Sequence, residues 1–324
     1  MQRLTAYVRR VRSEGFTPKE FRNICVFALV LLSFICVSGA AVRLTGSGLG
    51  CDDWPNCNAD KVVDFSNAHA AIEQVNRLIT FLVCIAVALA AAAGWYRRPR
   101  RKDLLVLGFV LLAGVPAQGV VGAIVVWADL NPATVQLHFV LSMLLVWAAV
   151  VMLVRSGEPD GGDRAPSVVP RVRRHVRLLV IWTGIAVLAG TVVTGTGPHA
   201  GDEQAKRFWG TETDINGHAL QWVSRIHGVI VWVTVAIALA LLWRLRRLHQ
   251  DRAALDAPIT AWIIVAVAQG SVGYIQYAAG LPAGLVLVHV AGATTLVGIT
   301  AWLWCSTTRV SRSAAEIIEQ VGDR

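Results

Sequence analysis

Over 324 residues the chain is 55% hydrophobic and 16% charged, with a mean hydropathy of +0.55. A soluble domain of this length carries more charge, so composition excludes a water-soluble fold. The formal net charge of +9 invites a nucleic-acid reading, which its distribution along the chain removes.

Apolar runs recur at roughly 23–44, 70–95, 104–127, 133–154, 178–196, 219–243, 259–279 and 283–304. Each is close to the ~20 residues that a spanning helix needs. Strand alternation is absent, and helices satisfy their own backbone in hydrocarbon. The expected fold is an all-α integral membrane protein with eight transmembrane helices. The first run follows a basic stretch, as a signal peptide does; its length and the seven later runs favour a retained span.

Lys and Arg crowd into 1–22, 97–102, 155–177, 244–252 and the tail after 305, which hold 24 of the 30 basic residues. The other connections hold almost none, and the first is acidic, with Asp52, Asp53, Asp60 and Asp64. This is the positive-inside pattern, with both termini cytoplasmic and the plasma membrane as the expected location. The basic excess is topology, and no nucleic-acid partner is expected.

Cys25, Cys36, Cys84 and Cys305 fall inside spans as small apolar residues. Cys51 and Cys57 lie in "GCDDWPNC", in the first outside connection. There a disulfide is chemically allowed; a metal site would want closer spacing and more ligands.

The chain repeats itself. "QGVVGAIVVWADLNPATVQLH" (Gln118–His138) overlies "QGSVGYIQYAAGLPAGLVLVH" (Gln269–His289) without a gap. More loosely, "RLTGSGLG" matches "VTGTGPHAG", and "HAAIEQVNRLI" matches "HALQWVSRIH". An even number of spans per half makes the repeat parallel, about an axis along the membrane normal. The expected organisation is a cytoplasmic segment 1–22, a four-helix half 23–154, a basic linker 155–177, a second four-helix half 178–304, and a cytoplasmic tail 305–324.

On this topology His69, His138, His227 and His289 all fall in the outer half of the membrane. His175 and His249 fall in basic cytoplasmic connections and read as solvated. Neutral imidazole is a metal ligand, and histidines facing each other across a helical bundle hold haem iron axially. Gly119, Gly122, Gly270 and Gly273 would let a flat macrocycle approach the backbone, or serve helix packing. Arg77 and Arg225, at matching outer positions, suit haem propionates or simply snorkel. No CxxCH attachment motif occurs.

At these residues the chain resembles the haem A synthase family over nearly its whole length. The matching pieces are "GAAVRLTGSGLGC" with "DDWPNC", "IEQVNRL", "LNPATVQLH", "VTGTGPHAGD" and "GYIQYAAGLPAGLVLVH", in that order. The resemblance implies two four-helix bundles, each holding a haem between paired histidines. It also implies an enzyme that oxidises the C8 methyl of haem O to the formyl group of haem A, with oxygen from water. Haem O would be the substrate in the N-terminal half and haem b the cofactor in the C-terminal half.

Residue by residue, the resemblance implies ligands at His138 and His289, a catalytic Glu73 and a disulfide between Cys51 and Cys57. The expected partners are haem O and haem A, haem O synthase, the cytochrome oxidase assembly machinery and membrane lipid, with a homo-oligomer also open. The family's second-span motif is Glu-x-x-His-Arg; here Asn76 stands in place of the histidine. In the sixth span Ser224 does so, with His227 three residues on. Two arrangements stay open for the N-terminal half: His69 as the replacement ligand, or iron held by His138 alone with Asn76 as a hydrogen-bond donor beside it. Glu73 is the expected proton acceptor; a plain i,i+4 salt bridge to Arg77 is the competing role. A di-haem electron-transfer protein and a parallel-repeat transporter are the alternative functions.

Overall fold

The structure is a computed structural model that describes residues 2–203, 205–209 and 218–311; the end of the expected tail, 312–324, lies outside them. Eight helices are long and apolar enough to cross a membrane. In chain order they are α2 (Pro18–Leu44), α3 (Ala68–Tyr96), α4 (Lys102–Trp127), α5 (Pro132–Ser156), α6 (Pro170–Thr196), α7 (His218–Arg247), α8 (His249–Ala278) and α9 (Ala283–Cys305), preceded by a short α1 (Gln2–Glu14). Every expected span is present, most of them longer at the ends. Local chemistry sets these boundaries. Thr17 and Glu20 form a capping box ahead of α2, with Pro18 in the first turn. Asn67 caps α3 by accepting the Ala70 amide at 2.9 Å.

Helices α2, α3, α4 and α5 pack as a closed ring of neighbours, and α6 to α9 repeat the arrangement. In each ring the second and fourth helices stand diagonally opposite. The rings meet where α9 packs on α5 and α2, and where α5 packs on α6. Exchanging the halves swaps the α2–α9 contact with α5–α6 and maps α5–α9 onto itself, as a two-fold axis along the membrane normal requires.

The repeat holds down to single hydrogen bonds. After α4, the amides of Ala128, Asp129 and Leu130 donate to the carbonyls of Ile124, Val126 and Val125. After α8, those of Ala279, Gly280 and Leu281 donate to Ile275, Tyr277 and Gln276. Leu130 and Leu281 both adopt the left-handed region, at φ 54° and 61°, which a bulky side chain accepts only where its surroundings hold it.

Each helix turns a seam spaced alternately by three and four residues toward its own bundle. On α3 it runs Glu73, Asn76, Thr80, Val83, Val87, Ala90 and Gly94; on α7 it runs Leu220, Ser224, His227, Val231, Thr234, Ala238, Leu241 and Leu245. The tightly packed cores occupy only one end of each seam. One comprises Phe21, Cys25, Ala28, Leu32, Val83, Val87, Leu111, Val115, Val146 and Met152. The other comprises Val172, Val176, Leu179, Leu241, Leu245, Leu255, Ile259, Trp262 and Leu303. Both lie toward the Arg-rich connections, here called the basic side; the opposite, disulfide side carries Cys51 and Cys57.

The basic side differs from a plain linker. Segment 155–177 contains a strand, β1 (Asp163–Pro166), and the start of α6. Strand β1 pairs antiparallel with β2 (Thr308–Ser311), Asp163 opposite Ser311 and Pro166 opposite Thr308. The segment is also pinned to the first bundle. Arg97, 1% exposed, reaches both carboxylate oxygens of Asp160 through Nη2, at 2.7 and 3.0 Å, and Arg101 pairs with Glu158 at 3.6 Å. His175, expected to be solvated, instead sits part-buried in α6 and donates from Nε2 to the Ile237 carbonyl at 3.0 Å. The side chain of His249 lies outside the described residues.

Removing one partner from a buried ion pair leaves the other uncompensated. Arg97→Ala should therefore lower stability by about 2 kcal/mol, read as a lower midpoint of thermal unfolding in detergent, whereas Arg98→Ala should not.

Candidate functional site

Toward the disulfide side the seams change character. Ser38, Asn76, Thr80, Gly119, Gly122 and His138 are all only part-buried, although their helical phase aims α3 and α5 into the bundle. The second half repeats this with Ser224, Gly270, Gly273, His227 and His289. The bundles are thus packed solid at one end and open at the other.

Small residues keep that open end clear. A Cβ built on Gly119 or on its repeat partner Gly270 would meet nothing within 4 Å. One turn on, a Cβ at Gly122 would lie 3.7 Å from His138 Cε1, and one at Gly273 would lie 3.3 Å from His289 Cε1. Gly190 does the same for His227, at 3.2 Å. Each imidazole therefore packs its Cε1 edge against a glycine that has no side chain to displace it.

The helices below the rings are matched. Gln118 donates to the His138 carbonyl at 3.0 Å and to Ser142 Oγ at 2.8 Å. Gln269 donates to the His289 carbonyl at 2.8 Å. Nδ1 of His138, His227 and His289 is in each case buried and without a hydrogen-bond partner, as is Ser224 Oγ. Buried polar atoms are normally satisfied, so these orphans mark places where a further group belongs. His227 and His289 stand on the diagonal helices α7 and α9, both part-buried. His138 also faces a diagonal helix, where the seam carries Asn76. Ser38 Oγ donates to Asn76 Oδ1 at 2.8 Å.

Glu73 is buried, 7% exposed, and both its oxygens are engaged. Oε2 accepts the Cys51 amide at 2.8 Å; Oε1 accepts Arg77 Nη2 at 2.7 Å and Nε at 3.1 Å. Arg77 also donates to the carbonyls of Asn56, at 2.9 Å, and Asp53, at 3.1 Å. Cys51 and Cys57 are bonded to each other, so the Glu73–Arg77 pair clamps a closed loop over the mouth of the first bundle. Trp54 of that loop meets Trp127 at the end of α4 edge-on, ring centres 6.3 Å apart. Farther along, Asp64 accepts from Asn58, Lys61 and Ser66. The Ser66 hydroxyl is foremost among the groups that hold the Asp64 carboxyl below the usual carboxylate range.

The remaining expected residues lie at the rim. His69, in the first turn of α3, is exposed, with Nδ1 2.9 Å from Ser47 Oγ. Arg225 is exposed and stacks over Trp222 at 5.8 Å. Arg77 is turned to the loop carbonyls. Sequence reasoning missed Ser38 and Gly190: the loose first–second and fifth–sixth matches gave no register for α2 and α6. It also missed the contact bridging the halves, where Gly48 donates to the Gly201 carbonyl at 2.8 Å, and the bond within the second half from His199 to the Leu281 carbonyl at 2.7 Å.

Comparison with known proteins bears on this geometry. The family model COX15-CtaA, described as cytochrome oxidase assembly protein, matches residues 22–301. A Heme A synthase of Listeria monocytogenes serotype 4a (strain HCC23) is 24% identical over 297 residues, covering 88% of this chain and 95% of that protein. One of Staphylococcus haemolyticus (strain JCSC1435) is 25% identical over 304 residues, covering 92% and 98%.

Two outcomes follow from the clamp. Glu73→Ala should take from Arg77 its carboxylate partner and from the Cys51 amide its acceptor, destabilising the loop by about 2–3 kcal/mol and speeding amide exchange across 51–57; Glu73→Gln, which keeps an acceptor for Cys51, should do so less. A depressed carboxyl contributes stability above its unfolded pKa and loses it as pH falls through the folded value. Protection of segment 58–66 should therefore be complete at neutral pH and fade only in acid, while Asp64→Asn should remove that pH dependence.

Proposed function

Since this chain belongs to the COX15-CtaA family of cytochrome oxidase assembly proteins, we propose that it is a haem A synthase, an oxidoreductase that converts haem O into haem A. The observation that carries the reading is the open, glycine-cleared end of each bundle, with buried imidazole nitrogens lacking partners. Those residues fit iron porphyrin: open space beside Gly119 and Gly270, and imidazoles packed against Gly122, Gly190 and Gly273.

In this reading His227 and His289 would hold haem b, and His138 would hold haem O. The orientation read from Lys and Arg puts the basic side and both termini in the cytoplasm, the disulfide side outside, and the chain in the plasma membrane. When bound, the haem supplies the electron-transfer chemistry that the polypeptide lacks.

The reaction would turn the C8 methyl and one water into a formyl group in two successive two-electron oxidations, releasing four protons and passing four electrons to an external electron acceptor. The protons need a route out, and Glu73 is the only carboxylate on α3. Standing one turn outward of Asn76, it holds Arg77 through Oε1 and the Cys51 amide through Oε2, and Oε2 keeps a lone pair that can accept a proton. Arg77 orients the carboxylate and the loop, and the loop with its disulfide keeps bulk water off the pocket.

The test is haem composition. A cell lacking this chain should accumulate haem O and lack haem A, and His138→Ala should fail to restore haem A while His175→Ala succeeds. Normal haem A in the deletion strain would refute the assignment and favour a di-haem electron carrier.

A further inference from the structure

The internal repeat allows each half to be read against the other, and at one position they differ. His138 and His289 are equivalent in register, in the glycine beneath the ring and in the glutamine bonded to the carbonyl. The helix diagonally opposite is not equivalent. In the second half it carries His227 on its inward seam, across the bundle from His289. With Arg77 laid over Arg225, the first half has Ile79 where His227 stands. Its inward seam instead carries Asn76, one turn nearer the disulfide side, followed by Thr80.

His69 does not close this gap. It lies seven residues outward of Asn76, about 10 Å along the helix, exposed and joined to Ser47. Asn76 itself has a defined orientation. Ser38 Oγ reaches Oδ1 at 2.8 Å, which commits the amide oxygen to α2 and leaves Nδ2, a donor, for the pocket. Thr80, on the next turn of the seam, donates to the Asn76 carbonyl at 3.0 Å.

We infer that the first bundle is a one-histidine haem site whose second axial face is a small-ligand site. Asn76 Nδ2 serves there as the hydrogen-bond donor, and Ser38 is the positioning residue that fixes the amide. The ligand class is a water-sized or diatomic molecule able to accept a hydrogen bond. This rests on the haem reading above, and it separates the halves chemically: the second bundle is closed on both faces by histidine, the first is open on one.

The experiment is ligand binding to the purified holoprotein, followed by optical and electron paramagnetic resonance spectra. With carbon monoxide on the reduced protein and imidazole on the oxidised protein, one haem of two should respond and the other should not. His138→Ala should remove the responding haem, and His289→Ala should spare it. Asn76→His should convert the responding haem to a low-spin form that no longer takes carbon monoxide. Ser38→Ala should weaken carbon monoxide binding by about fivefold, the size of one net hydrogen bond, with haem content unchanged. Two haems per chain with neither binding carbon monoxide would overturn the inference, as would His69→Ala creating a carbon-monoxide-binding haem. A chain that takes up no haem at all, even when haem is supplied, would instead overturn the functional reading together with it.

Discussion

Everything in this molecule depends on how far each inward seam stays apolar. A helix in hydrocarbon gains nothing by hiding Leu from lipid, so its bundle is held by close packing and by satisfied polar groups. Here the packing is complete on the basic side, around residues such as Leu111, Met152, Leu241 and Trp262. It then gives way to glycine, serine, asparagine and histidine. The solid end supplies rigidity, and the open end can leave room for a plate-shaped molecule because it carries little of the structural burden.

Duplication supplies two such ends, and the differences between them are informative. Turn, glutamine, glycine and histidine recur in both halves, so they serve what the halves share: a fixed ring beside open space. The disulfide loop with its Glu73–Arg77 clamp belongs to the first half alone among the described residues, while the second half alone carries a histidine on each of two diagonal helices at the open end. One open end is lidded and the other is flanked by imidazole on both sides, so the duplicated halves have diverged at their open ends.

The sequence made much of this legible. Eight spans, the parallel repeat, and inward-facing His138 and His289 were accessible because hydropathy and a gapless match depend only on residue order. The i,i+4 contact of Glu73 with Arg77 was equally visible, since helical spacing dictates it. What could not be read was anything set by contacts between distant segments. Ser38 meets Asn76 across 38 residues of sequence, and Arg77 turns to loop carbonyls rather than into the pocket. The linker gains order only through acids that find Arg97 and Arg101 and through a strand partner beyond α9. Charge counting marks that segment as cytoplasmic but does not foresee its fold.

The small sheet on the basic side has a lineage written into it. Strand β1 follows the fourth helix of the first half, and β2 follows the fourth helix of the second. They are counterparts, and an antiparallel pair is the arrangement that a two-fold axis generates from one strand and its own image. A half-length ancestor could have made this ribbon with a sister molecule. Gene fusion would then have turned a dimer seam into an internal clasp, freeing each former subunit to take up a different task without losing its mate.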